Sequence, residues 1–348
     1  MTDAALRRLA VTLLSLACPA FAAGTNLPGS FVLPQAQDPW VVYPGGEGPG
    51  KGKHIVFVTG EESYRSEESM PLMAKILSRH HGFKCTVLFA IDRADGTINP
   101  LQKDNIPGLE ALESADLMVA FLRWRELPDD QMKRIIDYTE SGRPILGLRN
   151  ATHPFQYKQH PDSPYAKYDW KSKDPEGGWG RSVLGETWVS HYGKNLFEST
   201  RCDPAEGMAD HPILKGVQKG FWLPDDVYGI GTLHGDCKPL LLGQPLMGWK
   251  AEDKPNPDKK PMAVAWTKTY TGSNGKAARV FTTTMGHGDV FKIEDFRRLV
   301  ANAAYWCLGM EDRIDAKSRL DLVGPYDPGP VGGKGLKKGI KPSDLALK

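Results

Sequence analysis

Residues 115–148 read ADLMVAFLRWRELPDDQMKRIIDYTESGRPILGL, and their pattern decides the fold. Ala115 to Leu122 is a short, largely apolar run, as expected of a strand covered on both faces. From Pro128 to Ser141 the period changes. Met132, Ile135, Ile136 and Tyr138 recur at helical spacing among polar residues, and Gly142 stops the helix. Pro144 to Leu148 is apolar again and too short for a helix. Strand, helix and strand at this spacing predict a parallel pair joined by a right-handed crossover.

The same alternation extends upstream. His54 to Thr59 is a β-rich run closed by Gly60, and Lys84 to Ala90 is a second strand. Between them a polar loop, Glu61 to Glu68, leads into a helix. Ser66 or Ser69 is the expected cap, Pro71 falls in the first turn, and Met70, Met73, Ile76 and Leu77 form the apolar face. Downstream, residues 156–182 mix Tyr, Trp, Lys, Asp, Pro and Gly without a period, which marks an insertion taken to run over about 156–235. Strands return at Pro239 to Gly243, Met262 to Thr267 and Arg279 to Thr284. Gly272-Ser273-Asn274-Gly275 makes a hairpin turn, and Ile293 to Leu308 is a final helix. The fold class is therefore α/β: a doubly wound, mostly parallel sheet flanked by helices. The domain spans 54–310. A Gly/Pro-rich segment, 23–53, is expected as a linker or surface wrap before it, and a Gly/Pro/Lys-rich tail, 311–348, is expected to be mobile after it.

Residues 1–22 read as a signal peptide. Arg7 and Arg8 give a positive start, Leu9 to Ala17 is apolar but shorter than the ~20 residues that span a bilayer, and Ala20-Phe21-Ala22 supplies small residues for cleavage. A periplasmic or secreted location follows, with no stable membrane insertion after cleavage. Net charge is +2, from 44 Lys+Arg against 42 Asp+Glu, so no global field points to nucleic acid. Four cysteines remain beyond the leader, widely spaced and without a Cys-x-x-Cys pair. Cys202 and Cys237 lie in loop-like sequence, where a disulfide and two free thiols both stay open, whereas Cys85 and Cys307 sit in apolar stretches and belong to the core.

Ligands of open α/β sheets bind outside the strand carboxyl ends. That rule selects four loops. The first holds Glu62, Tyr64 and Arg65, the second Trp124, the third Arg149, Asn150 and His153, and the last His287 and Asp289. Arg149 and Arg65 offer forked cationic donors for a carboxylate or a forming oxyanion. His287, between Gly286 and Gly288, suits acid/base work, and His153 is placed to face the same cleft or to serve its turn. Glu186 and His191 add a carboxylate and an imidazole from the insertion. His153, His191 and His287 with a carboxylate would suffice for a metal, yet no two share a short ligand spacing, so no metal site is assigned and the cofactor stays unknown. Trp124, Tyr157, Tyr165, Tyr168, Trp170, Trp179, Trp188 and Tyr192 crowd the second loop and the insertion. They suit stacking on sugar rings as well as anchoring the insertion.

Three stretches carry a family resemblance: VTGEESYRSEESMPLMAKIL (58–77), residues 115–155 and RVFTTTMGHGDVFKIEDFRRLVANAAYWCLG (279–309). Together they resemble the trehalose-utilisation (ThuA-like) family. The resemblance implies a fold similar to flavodoxin and to class I glutamine amidotransferases, and a link to carbohydrate catabolism that includes 3-keto-glycosides. In those amidotransferases the nucleophilic Cys stands on a tight strand-to-helix turn. Here that turn holds Arg149, which cannot form a thioester, so glutaminase activity is rejected. The expected activity rests on His287 and Arg149 acting on a small carbohydrate. A non-catalytic sugar-binding module and a metal-dependent hydrolase are the alternatives, and homo-oligomerisation is left open.

Overall fold

A ten-stranded mixed sheet organises the chain, in a computed structural model that describes residues 38–347. The leader read at residues 1–22, Cys18 included, lies outside the described residues. Five strands run parallel: β2 (His54–Gly60), β3 (Lys84–Leu88), β4 (Leu117–Leu122), β5 (Ile145–Leu148) and β12 (Ala277–Thr283). Counted along the sheet they lie in the order β3-β2-β4-β5-β12. Beyond β12 come the antiparallel strands β11 (Met262–Thr271), β10 (Lys238–Pro245), β7 (Thr200–Pro204) and β8 (Phe221–Leu223). A short pair, β6 (Ser190–His191) with β9 (Tyr228–Gly229), stands apart from the main sheet.

Period-two alternation divides each parallel strand between two apolar cores. Ile55 and Phe57 of β2 pack in one core with α1 (Ser66–His81) and α3 (Glu294–Cys307). Val56 and Val58 pack in the other with α2 (Asp129–Glu140) and with Trp179, Val183 and Leu184 of the expected insertion. Because both faces are covered, β2 and β4 are buried from end to end, which is why they read as unbroken apolar runs.

Several expectations are corrected. The segment before His54, expected as a linker or surface wrap, contains β1 (Trp40–Tyr43), an edge strand antiparallel to β3. Its glycines let the chain lie tight on the end of α1: a Cβ on Gly48, at φ +150°, would come within 2.5 Å of the His81 carbonyl oxygen. Ser66 and Ser69 do not cap α1. Arg65 holds the N-cap in a left-handed conformation, and Pro71 lies inside the helix. The expected insertion at about 156–235 contributes β7 and β8 to the same sheet. The tail does not stand free. Ile314 and Leu320 are buried, Tyr326 Oη donates to the Gly288 carbonyl at 2.7 Å, and Ile98 N–H donates to the Ile340 carbonyl at 2.8 Å. The four described cysteines are free; Cys202 is buried and Cys237 half-buried, so the pairing of these two is not made.

Candidate functional site

Backbone strain marks the strand carboxyl ends. Among the described residues four non-glycines hold a positive φ, and three of them sit directly after parallel strands: Arg65 (71°) after β2, Trp124 (50°) after β4 and Arg149 (44°) after β5. A left-handed non-glycine costs on the order of 1–3 kcal/mol and persists where the surroundings over-determine it.

Arg149 shows what over-determines one of them. Its guanidinium is fully buried and stands 2.8 Å from Asp225 Oδ1 and 2.6 Å from Asp226 Oδ1. It donates to the carbonyls of Asp226 and Thr284 at 3.0 and 2.9 Å. The Tyr64 and Tyr228 rings lie on it, each with its centroid 4.3 Å away. Burial opposes its charge, but Asp225 and the neighbours beside it hold the cation more firmly than usual. Arg149 is therefore an internal counterion, not an open oxyanion clamp, because both of its Nη atoms are already engaged, although Nε has no partner.

The two aspartates divide the remaining work. Asp225 accepts the backbone N–H groups of Gly286 and His287 through Oδ2 at 2.8 and 3.1 Å, which fixes the loop after β12. Burial pushes its carboxyl up to about 6, with Arg149 opposing. Asp226 meets His191. Oδ2 lies 2.6 Å from His191 Nδ1, whose ring is more than a third exposed. Burial also opposes the Asp226 charge, yet Arg149 and His191 hold its carboxyl below the usual range. An ionised carboxylate on Nδ1 orients an imidazole, stabilises its protonated form and leaves Nε2 as the exchanging nitrogen.

The other histidines differ from His191. His287 is buried, and its Nδ1 accepts the Asp289 N–H at 3.0 Å. Burial lowers its pKa to about 4, so near neutral pH the ring is uncharged and the proton sits on Nε2. His287 is thus suited to donate a hydrogen bond rather than to shuttle protons. His153 is buried as well, and burial holds it neutral. Its ring stands among those of Trp124, Trp170, Trp188 and Tyr228, with centroids 5.7 to 6.3 Å away. The indole N–H groups of Trp124 and Trp170 and the Asn150 side-chain amide find no acceptor in the fold. His191 joins this ring of aromatics through Trp188 and Tyr228.

Not every expected residue joins the cluster. Tyr64, Trp124, Arg149, Asn150, His153, His191 and His287 come together. Glu62 instead bridges Arg123 and Arg125 at 3.0 and 2.9 Å. The Arg65 guanidinium turns to the carbonyls of Pro330 and Gly332 in the carboxyl-terminal segment, because the loop after β2 reverses at Arg65. Glu186 is buried and accepts the Thr187 and Gly231 N–H groups. Asp289 pairs with Lys292 at 2.9 Å. Of the aromatics, Trp179 and Tyr157 are anchors: Trp179 is buried against Thr139, and Tyr157 reaches the Leu127 carbonyl. Among the described residues no three His, Cys, Asp or Glu side chains gather in a way that could hold a metal ion.

The sequence profile of the ThuA family, described as trehalose utilisation, matches residues 53–307. The chain belongs to the ThuA family. A search of curated proteins finds no match. Among solved structures, a protein described as ThuA-like from Bacteroides uniformis is 16% identical, with a TM-score of 0.46 over 75% of this chain and 93% of its own. A second one described so, from Parabacteroides merdae, is 14% identical, with a TM-score of 0.45 over 86% of this chain and 100% of its own. A cytoplasmic protein of Salmonella typhimurium is 13% identical, with a TM-score of 0.42 over 75% of this chain and 100% of its own. These likenesses are too distant to carry an argument about chemistry, so the site of this ThuA protein rests on its own geometry.

Sequence reasoning missed Asp225, Asp226 and Tyr228, which hold Arg149 in the cluster. They lie in Leu223-Pro224-Asp225-Asp226-Val227-Tyr228, inside a region with no helical or strand period. The signal present was two adjacent carboxylates flanked by apolar residues, a pattern that burial makes costly unless a cation is near.

Proposed function

We propose that this chain is an exported ThuA protein that acts on a sugar, with His191 as the acid/base group. One observation supports the reading above the others. His191 is an exposed imidazole held at 2.6 Å by an ionised, buried carboxylate, at the rim of a ring of tryptophans. Aromatic faces stack on the apolar faces of sugar rings, and the unpaired indole and amide N–H groups of Trp124, Trp170 and Asn150 offer donors to hydroxyls. His191 Nε2 takes a proton from carbon or hydroxyl, Asp226 stabilises the imidazolium that forms, and Arg149 keeps Asp226 ionised. The neutral His287 donates a hydrogen bond to an oxygen that gains charge. Such a set suits proton abstraction beside a ketone, which favours 3-keto-glycosides as substrates, and also suits hydrolysis. Export and a periplasmic or secreted location belong to this proposal and rest on the leader read in residues 1–22.

The parallel core is inferred to be of the doubly wound, flavodoxin-like kind. The order β3-β2-β4-β5-β12 with apolar cores on both faces supports this. Such folds bind ligands at the strand carboxyl ends, which supports reading the cluster as the site.

The test is a turnover screen of the purified protein against keto- and ordinary disaccharides, paired with calorimetry. Turnover of a sugar that His191→Ala abolishes while binding persists is the expected outcome. Binding without turnover in the unmodified protein would make it a binding module. Turnover that survives His191→Ala removes His191 from the chemistry.

A further inference from the structure

A second hollow lies between α1 and the carboxyl-terminal segment. It encloses about 290 Å³ and shares no lining residue with the His191 cluster. Small-molecule sites commonly start near ~300 Å³. Its walls are mostly apolar: Leu72 and Ile98 come from the body, and Val323, Ile340 and Leu345 from the tail.

One lining residue is out of keeping with such walls. Glu67 is nine-tenths buried, and neither of its carboxylate oxygens has a hydrogen-bond partner. The nearest cation, Arg65 Nη1, forms an ion pair with it at 3.6 Å, beyond hydrogen-bond length. Burial, with Glu61 and Glu68 adding to it, pushes the Glu67 carboxyl up to about 8. A buried carboxyl that accepts no hydrogen bond costs free energy that a bound donor would offset. The rim is acidic as well, with Asp327 and Asp344 beside Glu68, and Lys337 already pairs with Glu68. Lys75 is the remaining cation of the lining. Its ammonium faces the Tyr43 ring at 6.0 Å, and burial lowers its pKa.

We propose that this hollow is a second binding site, for a small molecule with an apolar body and a primary ammonium head that pairs with Glu67. The tail forms part of the site, so it is held in place by Arg65 on one side and by the bound molecule on the other. Binding near neutral pH then expels the Glu67 proton, because the carboxyl must ionise to pair with the ammonium.

Titration calorimetry of the full chain tests this with hexylamine, hexan-1-ol and hexanoate as probes, at pH 7 in two buffers of different ionisation enthalpy. The expected result is hexylamine binding with proton release, with the alcohol and the carboxylate each at least tenfold weaker. Glu67→Gln, which keeps the shape, reduces hexylamine to the level of the alcohol. Val323→Trp, which fills the hollow from the tail, abolishes binding of all three. The proposal is overturned if hexylamine does not bind, if hexanol or hexanoate binds as tightly, or if Glu67→Gln leaves hexylamine affinity unchanged.

Discussion

The two halves of the sheet contribute differently to the cluster. The parallel half supplies position: Tyr64, Trp124, Arg149 and His287 come from loops after β2, β4, β5 and β12, at the strand carboxyl ends. The antiparallel half and the separate β6–β9 pair supply the carboxylates and the exposed imidazole: Asp225 and Asp226 lie between β8 and β9, and His191 lies on β6. Without those aspartates Arg149 would be an unpaired buried cation, and without Arg149 they would be unpaired buried anions. The regular half thus positions the cluster, and the irregular half supplies its carboxylates.

The largest effect should come from separating the halves. Arg149→Met leaves two buried carboxylates without their cation, and chemical denaturation should show a loss of about 3–5 kcal/mol. A loss below about 1 kcal/mol would mean that the halves are not joined through this residue. Trp179 and Trp170 sharpen the contrast between anchor and platform. Trp179→Ala should cost about 3–5 kcal/mol of stability, since its ring is 1% exposed in the core. Trp170→Ala should cost much less stability and should weaken sugar binding by roughly tenfold, in line with about 0.5–1.5 kcal/mol for an aromatic contact. Equal stability losses would end the distinction.

Acidity separates the same regions. Burial lowers both His287 and His81 from 6.5 to about 4. Between those values the unfolded chain binds more protons than the folded one. Their contribution is complete above pH 6.5 and is lost as pH falls toward 4, by a few kcal/mol in all. Glu67 runs the other way. It is raised from 4.5 to about 8, so the folded chain keeps a proton that the unfolded chain releases, and stability falls as pH rises through that window. Glu67→Gln should flatten the alkaline decline and leave the acid one, as read from denaturation midpoints at pH 5 and pH 8. The smallest effect is expected at the tail: Tyr326→Phe removes one hydrogen bond to Gly288, worth about 1 kcal/mol.

The sequence made the parallel half legible because buried parallel strands and amphipathic helices have strong periods. His54–Gly60 and Leu117–Leu122 are unbroken apolar runs, and α2 repeats Met132, Ile135 and Ile136 on one face. The strand-end rule then found Tyr64, Trp124, Arg149, His153 and His287. It could not give side-chain direction. Arg65 and Glu62 are neighbours of Tyr64 in sequence, yet one turns to the tail and the other to Arg123 and Arg125. Strands β10 and β11 were legible too, but the stretch around the aspartates was harder to read, since β7, β8 and β9 have only 5, 3 and 2 residues, too short for a period to emerge. The tail misled for a related reason. Its Gly, Pro and Lys composition matches a disordered segment, but its few apolar residues, Ile314, Leu320, Tyr326 and Ile340, fall where the body can cover them.

The most direct test sets His191 against His287 on whichever sugar the protein turns over. The account predicts that His191→Ala lowers kcat by about 10²–10⁴-fold and that Asp226→Asn approaches the same loss. His287→Ala should keep more activity and an unchanged pH profile, since that ring stays neutral. If His287→Ala abolishes turnover while His191→Ala leaves it intact, the acid/base group is His287 and the Asp226–His191 pair has no part in the chemistry.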